Sequence, residues 1–344
     1  MKVTARGSYW RWLFLGLLIS LCFLVLLFRH VDLDQSWKDL AGVHVRLLLV
    51  PLLVTFVSTP LRPWRWQEIF PSTMRPGFIP CFGILSVGNM TNNLLPARGG
   101  DLLRCFLIQN KHSLSGASTA LATLALEKVL DGLALLVIVL LSCCFFSPPQ
   151  WLWKLGFLSG IVFVGALMML VLLRYRTVWF LARVRSLFRV IRLVALGEKI
   201  AVLSEGFAEG LSAVTSPSHM TKLVLLTILV WVGDAALIWG IALVLDLSLS
   251  LPSAVFVSAV LGLGLMIPAA PGFIGTYEFF SVAALRASGI GSESALALAV
   301  VMHAWVFLAT IILGFIGLSL VGMRFSYLIR SQVQEGAERE VRNS

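Results

Sequence analysis

Apolar residues run in blocks long enough to cross a bilayer core of about 30 Å, which takes about 20 residues of helix. Six blocks meet that length: Tyr9 to Phe28, Val43 to Thr59, Ala117 to Phe146, Trp151 to Leu173, Thr221 to Leu245 and Ala295 to Val321. Two further runs, Cys81 to Leu95 and Ala254 to Ile267, would rise only about 21 to 23 Å as helices. Each ends in a proline and glycine break, "PARGG" or "PAAPG", and the chain then turns apolar again over Leu102 to Ile108 and Phe273 to Leu285. A short arm, a break and a second arm predict a re-entrant hairpin, because broken backbone at membrane depth is tolerated only against protein or a wet cavity. The expected fold is an all-α polytopic membrane protein with six transmembrane helices and two oppositely oriented re-entrant hairpins.

The two hairpin regions resemble each other. Each has a short apolar arm, Pro-Ala, glycines, an acidic residue, a second arm and a long span with an ionisable residue inside it. Asp101 precedes Glu127 by 26 residues, and Glu278 precedes His303 by 25. Three spans separate the hairpins, so they enter from opposite faces. This pattern predicts an inverted repeat, with a site where the two broken elements meet near the midplane. The segments expected are 1–60, a two-helix start; 61–173, the first hairpin repeat; 174–220, a basic amphipathic stretch; 221–321, the second repeat; and 322–344, a polar tail.

Composition agrees with the pattern. Hydrophobic residues make up 58% of the 344 positions and charged residues 13%, where soluble domains carry roughly a quarter. The chain leaves no stretch for a separate soluble enzyme, so the membrane part is expected to hold the function. Charge placement then orients it. With both hairpins returning to their own side, 21 of the 27 basic residues fall on one side and five on the other. The positive-inside rule puts that side, with both termini, in the cytoplasm, and the setting is the inner, cytoplasmic membrane. The first block follows Lys2, Arg6 and Arg11 without a small-residue cleavage site and reads as an uncleaved signal anchor. From Arg174 to Lys199, arginines alternate with apolar groups, as in a helix lying on headgroups.

Charges within spans are costly and are functional candidates for that reason. In "LEKVLDG", Glu127 and Asp131 share a helix face, and Lys128 is three residues before Asp131 and can pair with it. A role in proton or charge relay, joined by His303, stands against an internal salt link of Arg98, Arg104, Asp101 and these carboxylates. In "LLPARGGDLLR", Arg98 adjoins Gly99 and Gly100 at a helix start. Exposed N–H groups there, with the fork of an arginine, form an anion site. The expected substrate contacts are Arg98, Gly99, Gly100, Arg104, Asn92 and Asn93. Asp101 and Glu278 are read as first-turn caps, and together with Lys128, Pro268, Pro271, Gly272 and Gly275 as structural or gating residues. Five cysteines without ligand spacing predict neither disulfide framework nor metal, and the absence of a phosphate-binding loop motif predicts no nucleotide engine. No cofactor, catalytic residue or nucleic-acid partner is expected.

Taken together, "LPARGGDLLR", "LEKVLDG" and "IPAAPGFIGTYE" resemble the flippase-like membrane family that includes the membrane region of lysylphosphatidylglycerol synthases, the multiple peptide resistance factors, over roughly residues 85–321. Lys128 stands where that family often has Arg, and Asp101 where Glu is commoner. The resemblance implies movement of a lipid between leaflets, such as an anionic phospholipid or a polyprenyl-phosphate-linked intermediate, without lysyl transfer. A non-transporting subunit that supports a lipid synthase or glycosyltransferase is the second reading, and a membrane-embedded lipid-modifying enzyme the third.

Overall fold

A computed structural model describes residues 18, 21–25, 44–72, 75–94, 99–112, 117–142, 145, 150–190, 194–211, 216–267 and 270–322. Most of the block Tyr9 to Phe28, together with Arg98, Pro268, Cys143, Cys144 and the tail, lies outside the described residues. Every regular element among the described residues is helical. They are α1 (Leu49–Ser58), entered through a 3-10 turn, α2 (Leu61–Ile69), α3 (Phe78–Leu94), α4 (Gly99–His112), α5 (Ala117–Ser142), α6 (Gln150–Tyr175), α7 (Thr177–Val190), α8 (Val194–Gly210), α9 (Pro217–Val244), α10 (Leu251–Gly264), α11 (Thr276–Ala287) and α12 (Ser292–Val321).

Among the described residues, four stretches are long and apolar enough to cross a membrane: Arg46–Ile69, Gln150–Tyr175, Pro217–Val244 and Ser292–Val321. α5 matches α6 in length, but Glu127, Lys128 and Asp131 sit in its middle. The first of the four runs past the expected end at Thr59. Pro60 and Pro63 fall at the N-cap and in the first turn of α2, where a missing N–H costs nothing, so the helix restarts and carries Arg62 and Arg65 inward. Both arginines are thereby turned toward the other helices; Arg65 is 1% exposed and Arg62 is half-buried.

Packing ties the two hairpin regions together crosswise. α3 lies on its own second arm α4 and on α12, while α10 lies on its own second arm α11 and on α5. α3 and α10 thus each rest against the long helix that follows the other Pro-Gly break. Small residues permit this: a Cβ on Gly317 would stand 2.6 Å from the carbonyl oxygen of Gly83, and one on Gly314 2.4 Å from Cβ of Met90. Helices in a membrane gain little from burial against each other and depend on such close backbone approach.

The basic stretch differs from the single helix expected on headgroups. It forms α7 and α8, joined by the pairing of Arg185 with Glu198 and Glu205. α8 packs on α5, with Gly206 and Gly210 against Ser118 and Ala122, and Thr119 donates to the Gly206 carbonyl at 3.2 Å. Val178, Trp179, Leu187 and Val190 of α7 remain exposed.

Candidate functional site

α5 is the axis of the site. Glu127 and Asp131, four residues apart, point to one side of it, as their spacing requires, and each meets an arginine from a different helix. Arg104 of α4 donates to both Glu127 carboxylate oxygens, at 3.4 and 2.7 Å. Arg65 of α2 does the same to Asp131, at 2.5 and 3.0 Å, and lies 3.8 Å from Glu127. The indole of Trp231 donates to Asp131 at 3.2 Å. On the same helix as Trp231, Asp234 accepts two bonds from Arg62, at 3.1 and 2.5 Å. The guanidinium of Arg104 also stacks over Trp66, 4.4 Å from the ring centroid.

Asp101, in the first turn of α4, also belongs to this network. Its carboxylate accepts from Asn92 at 3.2 Å, with Lys128 at 3.5 Å and Arg104 at 3.7 Å. Lys128 was expected to pair with Asp131; Arg65 meets Asp131 first, and Lys128 turns to Asp101. Gly100 has a close approach to explain it, since a Cβ there would stand 1.9 Å from the Gly88 carbonyl oxygen. Its missing side chain lets α4 lie against α3. Glu278 does cap its helix: the Gly275 N–H donates to it at 2.7 Å. Its other oxygen is 2.5 Å from His303 Nδ1, and His303 Nε2 is 2.7 Å from the Gly272 carbonyl oxygen. Pro271 and Gly272 form the short turn just before them.

These groups surround one cavity of about 400 Å³. Asn92, Asn93, Asp101, Arg104, Glu127, Lys128 and Asp131 line it from the first hairpin region, and Phe273, Tyr277 and His303 from the second, with Arg62 and Asp234 between them. Two of its cations, Arg62 and Lys128, are only half-buried and face the space. Arg98 and Pro268 lie outside the described residues. Arg62 and Arg65 entered the sequence reading only within the count of basic residues on one side; the signal available was two arginines one helical turn apart directly after an apolar run, the second of them between Trp64 and Trp66. Among the described residues no group of His, Cys, Asp and Glu has the arrangement of a metal site.

Comparison with known proteins gives this arrangement a family. The model of the family described as "Lysylphosphatidylglycerol synthase TM region" matches residues 13–314. The chain belongs to that family. As a member of the lysylphosphatidylglycerol synthase membrane-region family, it is 26% identical over 94% of its length to "Glycosyltransferase AglD" of Haloferax volcanii. It is also 22% identical over 84% of its length to the "UPF0104 membrane protein PH1989" of Pyrococcus horikoshii, of which it covers 90%. The chain spans only 56% of the length of the AglD protein. No solved structure matches this member of the lysylphosphatidylglycerol synthase family. It is a multi-pass membrane protein of that family, and Arg104, Glu127 and Asp131 from the motifs "LPARGGDLLR" and "LEKVLDG" all line its central cavity.

Proposed function

We propose that this chain moves a lipid with a polar, phosphate-bearing headgroup between the leaflets of the cytoplasmic membrane, the headgroup passing through the central cavity while the hydrocarbon chains stay in the bilayer. One observation carries this reading: a 400 Å³ cavity whose largely apolar wall carries a cluster of charged and amide side chains, with residues from both Pro-Gly break regions lining it, inside a bundle whose outer helices are apolar. Charges at that depth cost several kcal/mol each unless they are paired, and the half-buried Arg62 and Lys128 keep part of their donor capacity for a ligand. Arg98 with Gly99 and Gly100 is assigned the phosphate, because an arginine fork beside free helix N–H groups matches it. Asn92 and Asn93 are assigned to headgroup hydroxyls, and Glu127, Asp131 and His303 to charge relay.

The crosswise packing of α3 on α12 and α10 on α5 supports an inverted repeat made of 61–173 and 221–321, with α3–α4 and α10–α11 as re-entrant hairpins and six spans in all. Both termini are then cytoplasmic. The relative named as a glycosyltransferase favours a second reading, a membrane subunit that presents a lipid to a glycosyltransferase or lipid synthase without moving it.

The test uses purified protein in liposomes bearing a headgroup-labelled anionic phospholipid, with an impermeant quencher outside. Wild type should expose inner-leaflet label and Arg98→Ala should lose that activity while purifying normally. Added anionic lipid should raise the melting temperature of wild type more than that of Arg98→Ala. Labelled lipid that stays in its leaflet, as in protein-free liposomes, refutes translocation and leaves the subunit reading.

A further inference from the structure

The turn between α10 and α11 takes left-handed backbone at Gly272 (φ 70°), Phe273 (φ 57°) and Gly275 (φ 86°). A non-glycine residue there is strained and stays only where its surroundings hold it. Both sides of this turn are tied to one pair of side chains. The Gly275 N–H donates to one oxygen of Glu278, and the Gly272 carbonyl lies 2.7 Å from His303 Nε2. The other Glu278 oxygen closes the ring of contacts on His303 Nδ1 at 2.5 Å. Tyr277 stacks on the imidazole, 4.4 Å between centroids and 11° between planes, and fixes its orientation.

Proton counting constrains this ring. A carbonyl oxygen only accepts, so Nε2 must carry a hydrogen for its contact to be a bond. A neutral imidazole has one N–H, which leaves Nδ1 with a lone pair facing a carboxylate at 2.5 Å. That contact is attractive only with a further proton between the two atoms, as imidazolium and carboxylate or as imidazole and carboxylic acid. Without it the imidazole must choose: turning its one hydrogen to Glu278 loses the Gly272 carbonyl, and keeping the carbonyl sets two lone pairs against each other. One proton therefore decides whether the turn is held from both sides.

Among the described residues the surroundings supply no substitute. α12 packs against α3, α9 and α11. α9 brings Asp234, already paired with Arg62; α11 brings Tyr277 and Glu278; α3 and α10 bring no ionisable side chain except Cys81, well away along α3. The turn packs against α3, where the Asn93 carbonyl lies 3.8 Å from the place a Cβ on Gly272 would take. It therefore sits on the seam between the two hairpin regions, and His303 opens onto the cavity.

We propose that Glu278 and His303 together form the binding site of a coupling proton: with the proton bound, the second hairpin turn closes on the first hairpin, and its loss to the cavity releases the turn. This assignment rests on the translocation reading above. It moves the coupling step from Glu127 and Asp131, whose charges are each matched by an arginine, to a pair that meets no arginine or lysine among the described residues.

Two measurements test it, one of them independent of transport. Hydrogen exchange of the peptide covering 271–276, in protein reconstituted in nanodiscs, is followed between about pH 5.5 and pH 8.5 for wild type, His303→Gln and Glu278→Gln. After normalising to an unaffected peptide, wild-type protection should fall by about tenfold or more as pH rises, and the variants should show a flat profile. Nitrogen-15 spectra of wild-type histidines serve if either variant fails to fold: His303 should titrate with both ring nitrogens protonated at the acid end. The liposome assay is then run with an imposed pH gradient, which should change the rate in wild type and not in His303→Gln. A wild-type turn whose protection matches the variants at every pH, or a His303 bearing one N–H throughout, overturns the proton site even if lipid moves. Lipid that does not move under any condition overturns the translocation reading, and the coupling with it.

Discussion

Removing Arg104 separates a structural role from a ligand-binding one. Its side chain is 2% exposed, its two bonds to Glu127 are 2.7 and 3.4 Å long, and it stacks on Trp66. Breaking a buried ion pair costs about 3–5 kcal/mol, because the partner is left as an uncompensated charge. Here Arg65 remains 3.8 Å from Glu127 and softens that loss, so the lower end applies. Loss of the stacking on Trp66, where both groups are buried, adds about 2 kcal/mol. Arg104→Ala should then destabilise the protein by about 5 kcal/mol, and at about 2 °C per kcal/mol lower its melting temperature by about 10 °C. The control is a cycle with Glu127→Met and Arg104→Met. Replacing both members by apolar groups of similar size is close to neutral, so the double variant should regain most of the loss, with a coupling of about 2 kcal/mol or more. The assay is thermal unfolding in one detergent, read by loss of the monodisperse peak. An Arg104→Ala protein that melts within about 1 °C of wild type would show that the pair does not hold the bundle.

Three other outcomes follow from the geometry. Gly100→Ala should destabilise the α3–α4 pair and lower yield and melting temperature, since its Cβ would fall 1.9 Å from the Gly88 carbonyl oxygen; an unchanged melting curve would contradict the close approach. Arg62→Asp should impair lipid movement through repulsion with Asp234, and the swapped pair Arg62→Asp with Asp234→Arg should restore a large part of it, because the bidentate contact has the same geometry in reverse; failure of the swap alongside a correct fold would assign Arg62 to the ligand. In a cysteine-free background, a cysteine at the exposed Asp246 should react with an impermeant reagent from outside the cell and one at the exposed Ser186 only from inside; labelling of both from one face would remove the inverted repeat.

How far the sequence announced this depends on whether the relevant contact is local. The spacing of Glu127 and Asp131 put them on one face of α5, and they share that face in the cavity. The breaks at "PARGG" and "PAAPG" marked where α3 ends before α4 and where α10 gives way to α11. What the sequence did not disclose was pairing across helices. Asp131 has Lys128 three residues away, yet its partner is Arg65, 66 residues away in the chain. Nothing near Asp234 in the sequence points to its partner, since Arg62 is 172 residues off. Arg62 and Arg65 were hidden for a further reason: Pro60 looks like the end of a helix, and only in three dimensions does it appear as the start of the next one. The basic stretch near Arg174 misled in the opposite way, since its arginines are periodic enough for one amphipathic helix while Gly206 and Gly210 draw the second half of the segment onto α5.

The crosswise packing of the hairpins bears on how the chain is made. α3 leaves the ribosome long before α12, and the face through which Gly83 and Met90 meet Gly317 and Gly314 lacks that partner until then. The cavity wall around Arg104, Glu127 and Asp131 is therefore only half built until α9 to α12 are synthesised. A chain stopped near 216 would present that unfilled groove to membrane quality control and be degraded. The same fragment made together with 216–344 should survive, since each half carries the surface that completes the other.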